Sequence, residues 1–190
     1  MTPCENCHAP TPDHELVRYG SMESFRTLCL RCVNEDMAER CGVDFEHVKF
    51  EPISMTDQAG AKHEFHFATR LLGDIASVEA FELIDGSPGG YQFQVIDDAQ
   101  ADLWGLMAKL IERIRGALSV SYLRERRGAL HIEGLSVGGQ ITSGLDDDGY
   151  PSPVLVIDGR EISWEDFGRM LSAFEGWQFK LQFVDRSEPI

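Results

Sequence analysis

Basic side chains are scarce in this sequence of 190 residues. Its 17 Lys and Arg residues are outnumbered by 32 Asp and Glu residues, which gives a formal net charge of −15. A protein that binds nucleic acid over a broad surface needs a basic face to neutralise phosphates. A protein that binds anionic lipid headgroups needs a polybasic segment. The composition therefore makes nucleic acid an unexpected partner and excludes a polybasic membrane anchor.

Long apolar runs and a secretory leader are also lacking. No apolar stretch reaches about 18 residues, so we expect no transmembrane helix. The first seven residues, MTPCENC, contain neither the basic segment nor the apolar stretch of a signal peptide. The expected compartment is therefore the cytoplasm.

Common catalytic motifs are lacking as well. The sequence contains no P-loop, no Gly-x-Gly-x-x-Gly, no Gly-x-Ser-x-Gly and no His-Glu-x-x-His. An enzyme would have to assemble its site from scattered side chains. The candidates for such a site are His63, Glu64, His66, His131 and Glu133. Positions 63 and 66 face opposite sides of a strand, so we expect those two histidines not to share a ligand. The sequence favours a protein that is not an enzyme.

Five cysteines are present, and four of them form two Cys-x-x-Cys pairs. The pairs are Cys4 with Cys7 and Cys29 with Cys32, and 21 residues separate them. Two thiolates three positions apart can face one ion, and two such pairs complete a tetrahedral shell of four sulfurs, which suits Zn²⁺. We call these four residues the cysteine quartet. Cys41 has no place in this pattern.

The residues around the quartet support a small metal-binding module. Residues 13–19 and 24–28 are predicted to form a hairpin, and residues 33–40 a short helix that ends at Gly42. A Cys-x-x-Cys pair, a hairpin, a second Cys-x-x-Cys pair and a helix follow one another in residues 1–44. This order resembles a treble-clef or zinc-ribbon finger. The resemblance implies a structural Zn²⁺ held by all four cysteines of the quartet. The rest of the chain resembles uncharacterised bacterial proteins, which implies no activity.

Two other interpretations of the cysteines stay open at this stage. Each pair could serve thiol exchange, although a thioredoxin-like pair follows a strand and opens a helix, and the first pair lies at the amino terminus. Cys4-Glu-Asn-Cys7-His8 also matches a haem attachment motif. Covalent haem attachment normally accompanies export, for which no signal is seen. Structural zinc is favoured over both.

Residues 45–190 are predicted to form one α+β domain, a mostly antiparallel sheet with two covering helices. Residues 85–90 are predicted to be a turn and residues 136–153 an exposed hairpin or loop. The predicted strands are residues 62–72, 74–84, 91–96, 130–134 and 177–183. A long helix is predicted from Asp97 to Leu118, continuing or restarting through residues 122–127. Residues 154–162 carry the Asp158-Gly159 signal of a hairpin, and Ser163 is placed to cap a second helix.

These observations predict a cytoplasmic, zinc-binding protein that binds another protein, as an adaptor without catalytic activity. One alternative is a regulatory protein that associates with nucleic acid through the finger and the basic residues 124–127. Another is an acidic protein that mimics nucleic acid. The third is the enzyme with a scattered His/Glu site.

Overall fold

The computed structural model describes residues 1–21, 24–145 and 148–188. Its architecture is α+β with mostly antiparallel sheets, as predicted. Among the described residues the strands form five separate sheets. None of the described helices combines the length and the apolar character needed to cross a membrane.

The amino-terminal part consists of two small antiparallel hairpins and a helix. Its elements are β1 (Thr2–Pro3), β2 (Pro10–Thr11), β3 (Leu16–Ser21), β4 (Ser24–Cys29) and α1 (Leu30–Cys41). The predicted hairpin and helix are confirmed, but Asp13–Glu15 form a 3-10 turn ahead of the first strand, and the helix starts three residues before residue 33. It ends where predicted, because Gly42 takes a left-handed φ of 65° and its N–H bonds to the carbonyls of Ala38 and Glu39.

A four-stranded antiparallel sheet forms the middle of the chain. It contains, in spatial order, β5 (Ile53–Thr56), β6 (Lys62–Leu72), β7 (Ile75–Ile84) and β8 (Ser87–Asp98). The predicted turn over residues 85–90 is wrong beyond Gly86. Asp85 and Gly86 both have positive φ angles, of 51° and 81°, so a two-residue turn suffices and pairing resumes at Ser87.

Helix α2 (Leu103–Leu118) packs against β7 and β8. It begins later than predicted, because Asp97 is still part of β8 and the helix is capped by Asp102, whose carboxylate accepts the N–H of Trp104 at 3.0 Å. Its apolar face and the sheet form the largest core. The buried members from the helix are Leu103, Leu106, Met107, Leu110, Ile114 and Leu118.

The carboxy-terminal part has its own small core. Its elements are β9 (Leu123–Arg126), β10 (Ala129–Ile132), β11 (Gln140–Leu145), β12 (Pro151–Ile157), β13 (Arg160–Ser163), α3 (Trp164–Leu171) and a 3-10 turn (Ser172–Phe174). β9 pairs with β10, and β11, β12 and β13 form a three-stranded sheet on which α3 packs. The predicted hairpin turn at Asp158 is confirmed, as is the cap, since Ser163 Oγ accepts the N–H of Asp166 at 3.0 Å.

One prediction for this part is wrong, since a strand replaces the continuation of a helix. Residues 122–127 do not continue α2. The carboxylate of Asp158 accepts the N–H groups of Tyr122 and Leu123, at 2.8 and 2.7 Å, and holds the chain extended. Residues 136–153 are predicted to be an exposed hairpin or loop, and the hairpin is confirmed, since β11 pairs antiparallel with β12.

The predicted final strand is also wrong. Residues 177–183 alternate between apolar and polar side chains, yet in the described structure they pair with no strand. The apolar members of the row are exposed to 64–91%; these are Trp177, Phe179, Leu181 and Phe183. The local pattern favours a strand, and a strand still needs a neighbour that the described residues do not place there.

The amino-terminal helix is hydrogen-bonded to the four-stranded sheet through the buried side chain of Asn34, which is only 1% exposed, and Leu30 and Ala38 of the same helix add apolar contacts with the sheet. Its Nδ2 donates to the carbonyl of Thr69 at 2.8 Å, and its Oδ1 accepts the N–H of Leu71 at 3.0 Å. Strand β5 pairs with β6 only over residues 62–65, so the edge of β6 beyond that point lacks a neighbouring strand. The Asn34 carboxamide takes the place of that missing strand.

We call this contact between Asn34 and β6 the Asn34 joint. His47, in the segment between α1 and β5, adds one more hydrogen bond to it. Its Nδ1 accepts from Asn34 Nδ2 at 2.8 Å, which requires the ring to be unprotonated at that nitrogen. Burial lowers the pKa of His47, and the positive charge of Arg31 acts in the same direction. The neutral ring is therefore the form that fits the joint.

Replacing Asn34 by Ala should destabilise the protein by about 2–4 kcal/mol, because a buried carbonyl and a buried N–H on β6 would lose their partner. Glu35→Ala, one residue along the same helix and exposed, should change the free energy of unfolding by about 0.5 kcal/mol or less. Urea unfolding of both variants measures the difference. If the two variants have equal free energies of unfolding, Asn34 does not hold the helix against the sheet.

Candidate metal centre

The cysteine quartet is brought together by three different elements. Cys4 and Cys7 lie in the turn between β1 and β2, Cys29 ends β4, and Cys32 lies in the first turn of α1. The turn is closed by the N–H of His8, which bonds to the carbonyl of Cys4 at 2.9 Å. The four Sγ atoms all lie within 4.8 Å of one another, so they could hold a metal ion.

The spacing of the sulfurs suits a tetrahedral ion. A metal–sulfur bond of about 2.3 Å in a regular tetrahedron places neighbouring sulfurs about 3.8 Å apart. Sγ of Cys7 and Sγ of Cys29 are 3.8 Å apart. A disulfide would need a separation of about 2.05 Å. The quartet therefore has the dimensions of a metal site and not of a pair of disulfides.

Hydrogen-bond donors point at two of the sulfurs. The backbone N–H of Cys29 donates to Cys4 Sγ at 3.2 Å, and Asn6 Nδ2 donates to Cys32 Sγ at 3.4 Å. Such donors stabilise thiolates that bind a metal. The sequence analysis did not single out Asn6, although its place inside the first Cys-x-x-Cys pair is where such a donor would be expected.

The thiol pKa values are spread apart within the quartet. Burial raises the pKa of Cys4, but backbone N–H groups, that of Cys7 first among them, outweigh burial and lower this pKa to about 6. Burial raises the pKa of Cys32 to about 12, since the donor Asn6 offsets it only in part and the neighbouring thiols add to it. Ionising all four thiols near neutral pH therefore requires a bound cation, whose binding would release protons.

Cys41 stands apart from the quartet, as the sequence predicted. It lies exposed at the end of α1, and its Sγ is 3.8 Å from the Met37 sulfur. No member of the quartet contacts it. Its role is therefore separate from that of the metal centre.

The scattered His/Glu residues are not brought together. His63 lies between Glu82, at 2.8 Å from Nδ1, and Asp57, at 3.4 Å from Nε2. His66 faces the other side of β6, where Glu64 Oε1 is 3.1 Å from its Nε2. His63 and His66 therefore face opposite sides of β6, as predicted. Sequence spacing could not reveal Glu82, because it reaches His63 from the neighbouring strand.

The other two candidates of that set lie on a different sheet. His131 belongs to β10, and Glu133 follows it and forms an ion pair of 3.0 Å with Arg124. Across residues 1–21, 24–145 and 148–188, the cysteine quartet is the one group of three or more His, Cys, Asp or Glu residues positioned to hold a metal ion. The structure therefore does not assemble the scattered site.

Comparison with known families divides the chain into three successive matches. Each matching family is described as a domain of unknown function: DUF7685 over residues 3–44, DUF7686 over residues 46–119 and DUF7713 over residues 122–188. The first match contains the whole quartet. The longest covers less than half of the chain. No curated protein and no solved structure matches significantly.

Native thiol reactivity should distinguish Cys41 from the quartet. Treating the folded protein with iodoacetamide should place one adduct per chain, on Cys41, because this thiol is exposed and the quartet is clustered and largely buried. Peptide mass spectrometry locates the adduct, and Cys41→Ser should give none. Equally fast labelling of Cys7 or Cys29 in the native protein would contradict the assignment.

Proposed function

We propose that this protein is a zinc-stabilised module that binds another protein. In this proposal residues 1–44 form a zinc finger whose ligands are the cysteine quartet. Residues 45–190 form the α+β region that carries the binding surface. The observation that carries the proposal is the convergence of four sulfurs from two Cys-x-x-Cys pairs at the spacing of a tetrahedral ion.

Metal binding fits the quartet better than thiol exchange or haem attachment. All four sulfurs lie within 4.8 Å of one another and the 3.8 Å contact joins Cys7 to Cys29 of the other pair, whereas two redox pairs need closeness only within each pair. Haem attachment would need the first pair turned outwards, but Cys4 is fully buried beside the second. Four sulfurs fill a tetrahedral shell and leave no position for water or substrate, so the ion would stabilise structure.

The amino-terminal module needs such an ion because its own core is small. Apart from the cysteines, its buried apolar residues next to the quartet are Leu28 and Val33. A segment of about 40 residues rarely folds on so little apolar burial without a metal or disulfides. Zinc would supply much of the folding free energy of this module. The hydrogen bonds of Asn34 would then hold the ordered helix α1 against the edge of β6.

The protein-binding surface is proposed to include the apolar row of residues 177–183. Of the 20 large apolar residues that stand exposed in the described chain, 12 lie between Leu135 and Val184. Exposed apolar surface of this extent marks interaction sites in soluble proteins. An alternating segment without a strand partner is suited to pairing with an open sheet edge of a partner protein. Its apolar side chains would then be buried on one face.

Charge supports a protein partner over nucleic acid. The net charge of −15 is spread over the chain, and the segment 177–183 contains one charged residue, Lys180. An apolar strand with so little charge matches another sheet edge better than it matches phosphates. An acidic surface that mimics nucleic acid would not require the exposed apolar row.

Elemental analysis of the untagged protein should find about one zinc per chain. Cys41→Ser should keep that content, whereas Cys29→Ser should lower it severalfold and destabilise the amino-terminal module, because three sulfurs no longer close the shell. The two variants make the same chemical change at sites inside and outside the quartet. If the wild-type protein carries iron, the ion in the proposal is iron and not zinc. If it carries no metal, the proposed zinc centre is refuted.

The apolar row should be required for partner binding. Replacing Phe179 and Phe183 by Ser should abolish capture of the partner from cell extract, since apolar burial drives the contact. The matched control replaces Gln178 and Gln182 by Ser on the opposite side of the row and should retain capture. Circular dichroism should show unchanged folding in both, because all four side chains are exposed. Nuclease treatment separates a protein partner from a nucleic acid, and equal capture by both variants would disprove the role of the row.

A further inference from the structure

A cleft of about 400 Å³ lies between the β9–β10 hairpin and the end of α3. It was not indicated by any motif in the sequence. One wall consists of Arg124, Arg126 and His131 together with Glu133, and the other of Met170, Ala173 and Phe174. The cleft is thus basic on one side and apolar on the other, within a protein of net charge −15.

The basic wall follows from the pairing of the hairpin. Arg124 and Arg126 are two residues apart on β9, so their side chains leave the same face of the strand. The antiparallel register places His131 of β10 directly opposite Arg124. Three nitrogen-bearing side chains are therefore aligned along one face, which is an arrangement that can receive an anion.

Two of these three side chains are available to a ligand. Arg124 forms an ion pair with Glu133, at 3.0 Å between Nη1 and Oε1. In the part of the chain that the structure describes, the side chains of Arg126 and His131 have no hydrogen-bond or ion-pair partner. Glu133 thus neutralises one guanidinium and leaves the other as the positive group of the cleft.

The basic wall is held in position by contacts behind it. The Asp158 carboxylate accepts the N–H groups at the start of β9, and the N–H of Glu133 donates to the carbonyl of Tyr122 at 2.7 Å. Leu123, at the base of the hairpin, is buried against Met170 and its neighbours. A wall fixed in this way can bind a ligand without being ordered first.

We propose that this cleft binds a small organic anion that joins a carboxylate or phosphate to an apolar or aromatic body. The acid group would bind Arg126 and His131, and the body would lie against Met170 and Phe174. A volume of about 400 Å³ falls within the usual range of small-molecule sites. The proposal is independent of the zinc centre and of the protein-binding row.

Calorimetric titration with four probes tests both halves of the cleft. Phenyl phosphate and phenylacetate carry an acid and an aromatic ring, inorganic phosphate carries only the acid, and benzyl alcohol carries only the ring. At least one of the first two should bind saturably with a Kd of about 1 mM or lower, and the last two about tenfold more weakly. The preference between phenyl phosphate and phenylacetate identifies the acid group.

Matched arginine variants test the location. Arg126→Gln should weaken the better probe about tenfold. Arg160→Gln, on β13 and outside the cleft lining, should leave binding unchanged. Chemical shift changes should map to residues 122–134 and to the end of α3. The proposal is overturned if neither acid–ring probe saturates at about 10 mM, if inorganic phosphate binds equally well, or if both variants bind like the wild type.

Discussion

The convergence of four cysteine sulfurs orders a segment that has little hydrophobic core of its own. Cys4, Cys7, Cys29 and Cys32 come from a turn, a strand end and a helix start, and Leu28 and Val33 are the other buried apolar residues of their cluster. Helix α1 is fixed at its first turn by the quartet. It therefore presents Asn34 at the unpaired edge of β6, where the carboxamide replaces a strand. We therefore propose that a metal held by the sulfur cluster helps to fix the placement of the amino-terminal module.

In the remainder of the chain, the largest core and most of the exposed apolar surface lie in different parts. The core beneath α2 is continuous and largely apolar and does not include the quartet, so we expect the four-stranded sheet to fold without a metal. The carboxy-terminal part has a smaller core and carries most of the exposed apolar residues, together with the basic cleft beside Arg126. A protein of high negative charge thus concentrates its apolar surface and one of its basic walls in its last 70 residues or so. That distribution is what a binding module would require.

Local sequence signals predicted the features whose geometry is local. The spacing of the Cys-x-x-Cys pairs predicted the quartet, and alternation predicted β6 with its exact limits. The features that failed depend on partners distant in sequence. Residues 122–127 are extended because Asp158 binds their backbone, and residues 177–183 lack the neighbour that their pattern requires. The Asn34 joint was missed since a polar residue in a short helix gives no sign of burial.

Hydrogen exchange of backbone amides before and after chelation tests the central claim most directly, because it reports order residue by residue. The account predicts that removing the metal from the full-length protein raises exchange sharply in β3, β4 and α1. Amides of β7 and α2 should keep their protection, since their core does not include the quartet. Unchanged protection across residues 1–44 after complete metal removal would show that the sulfur cluster does not order the module.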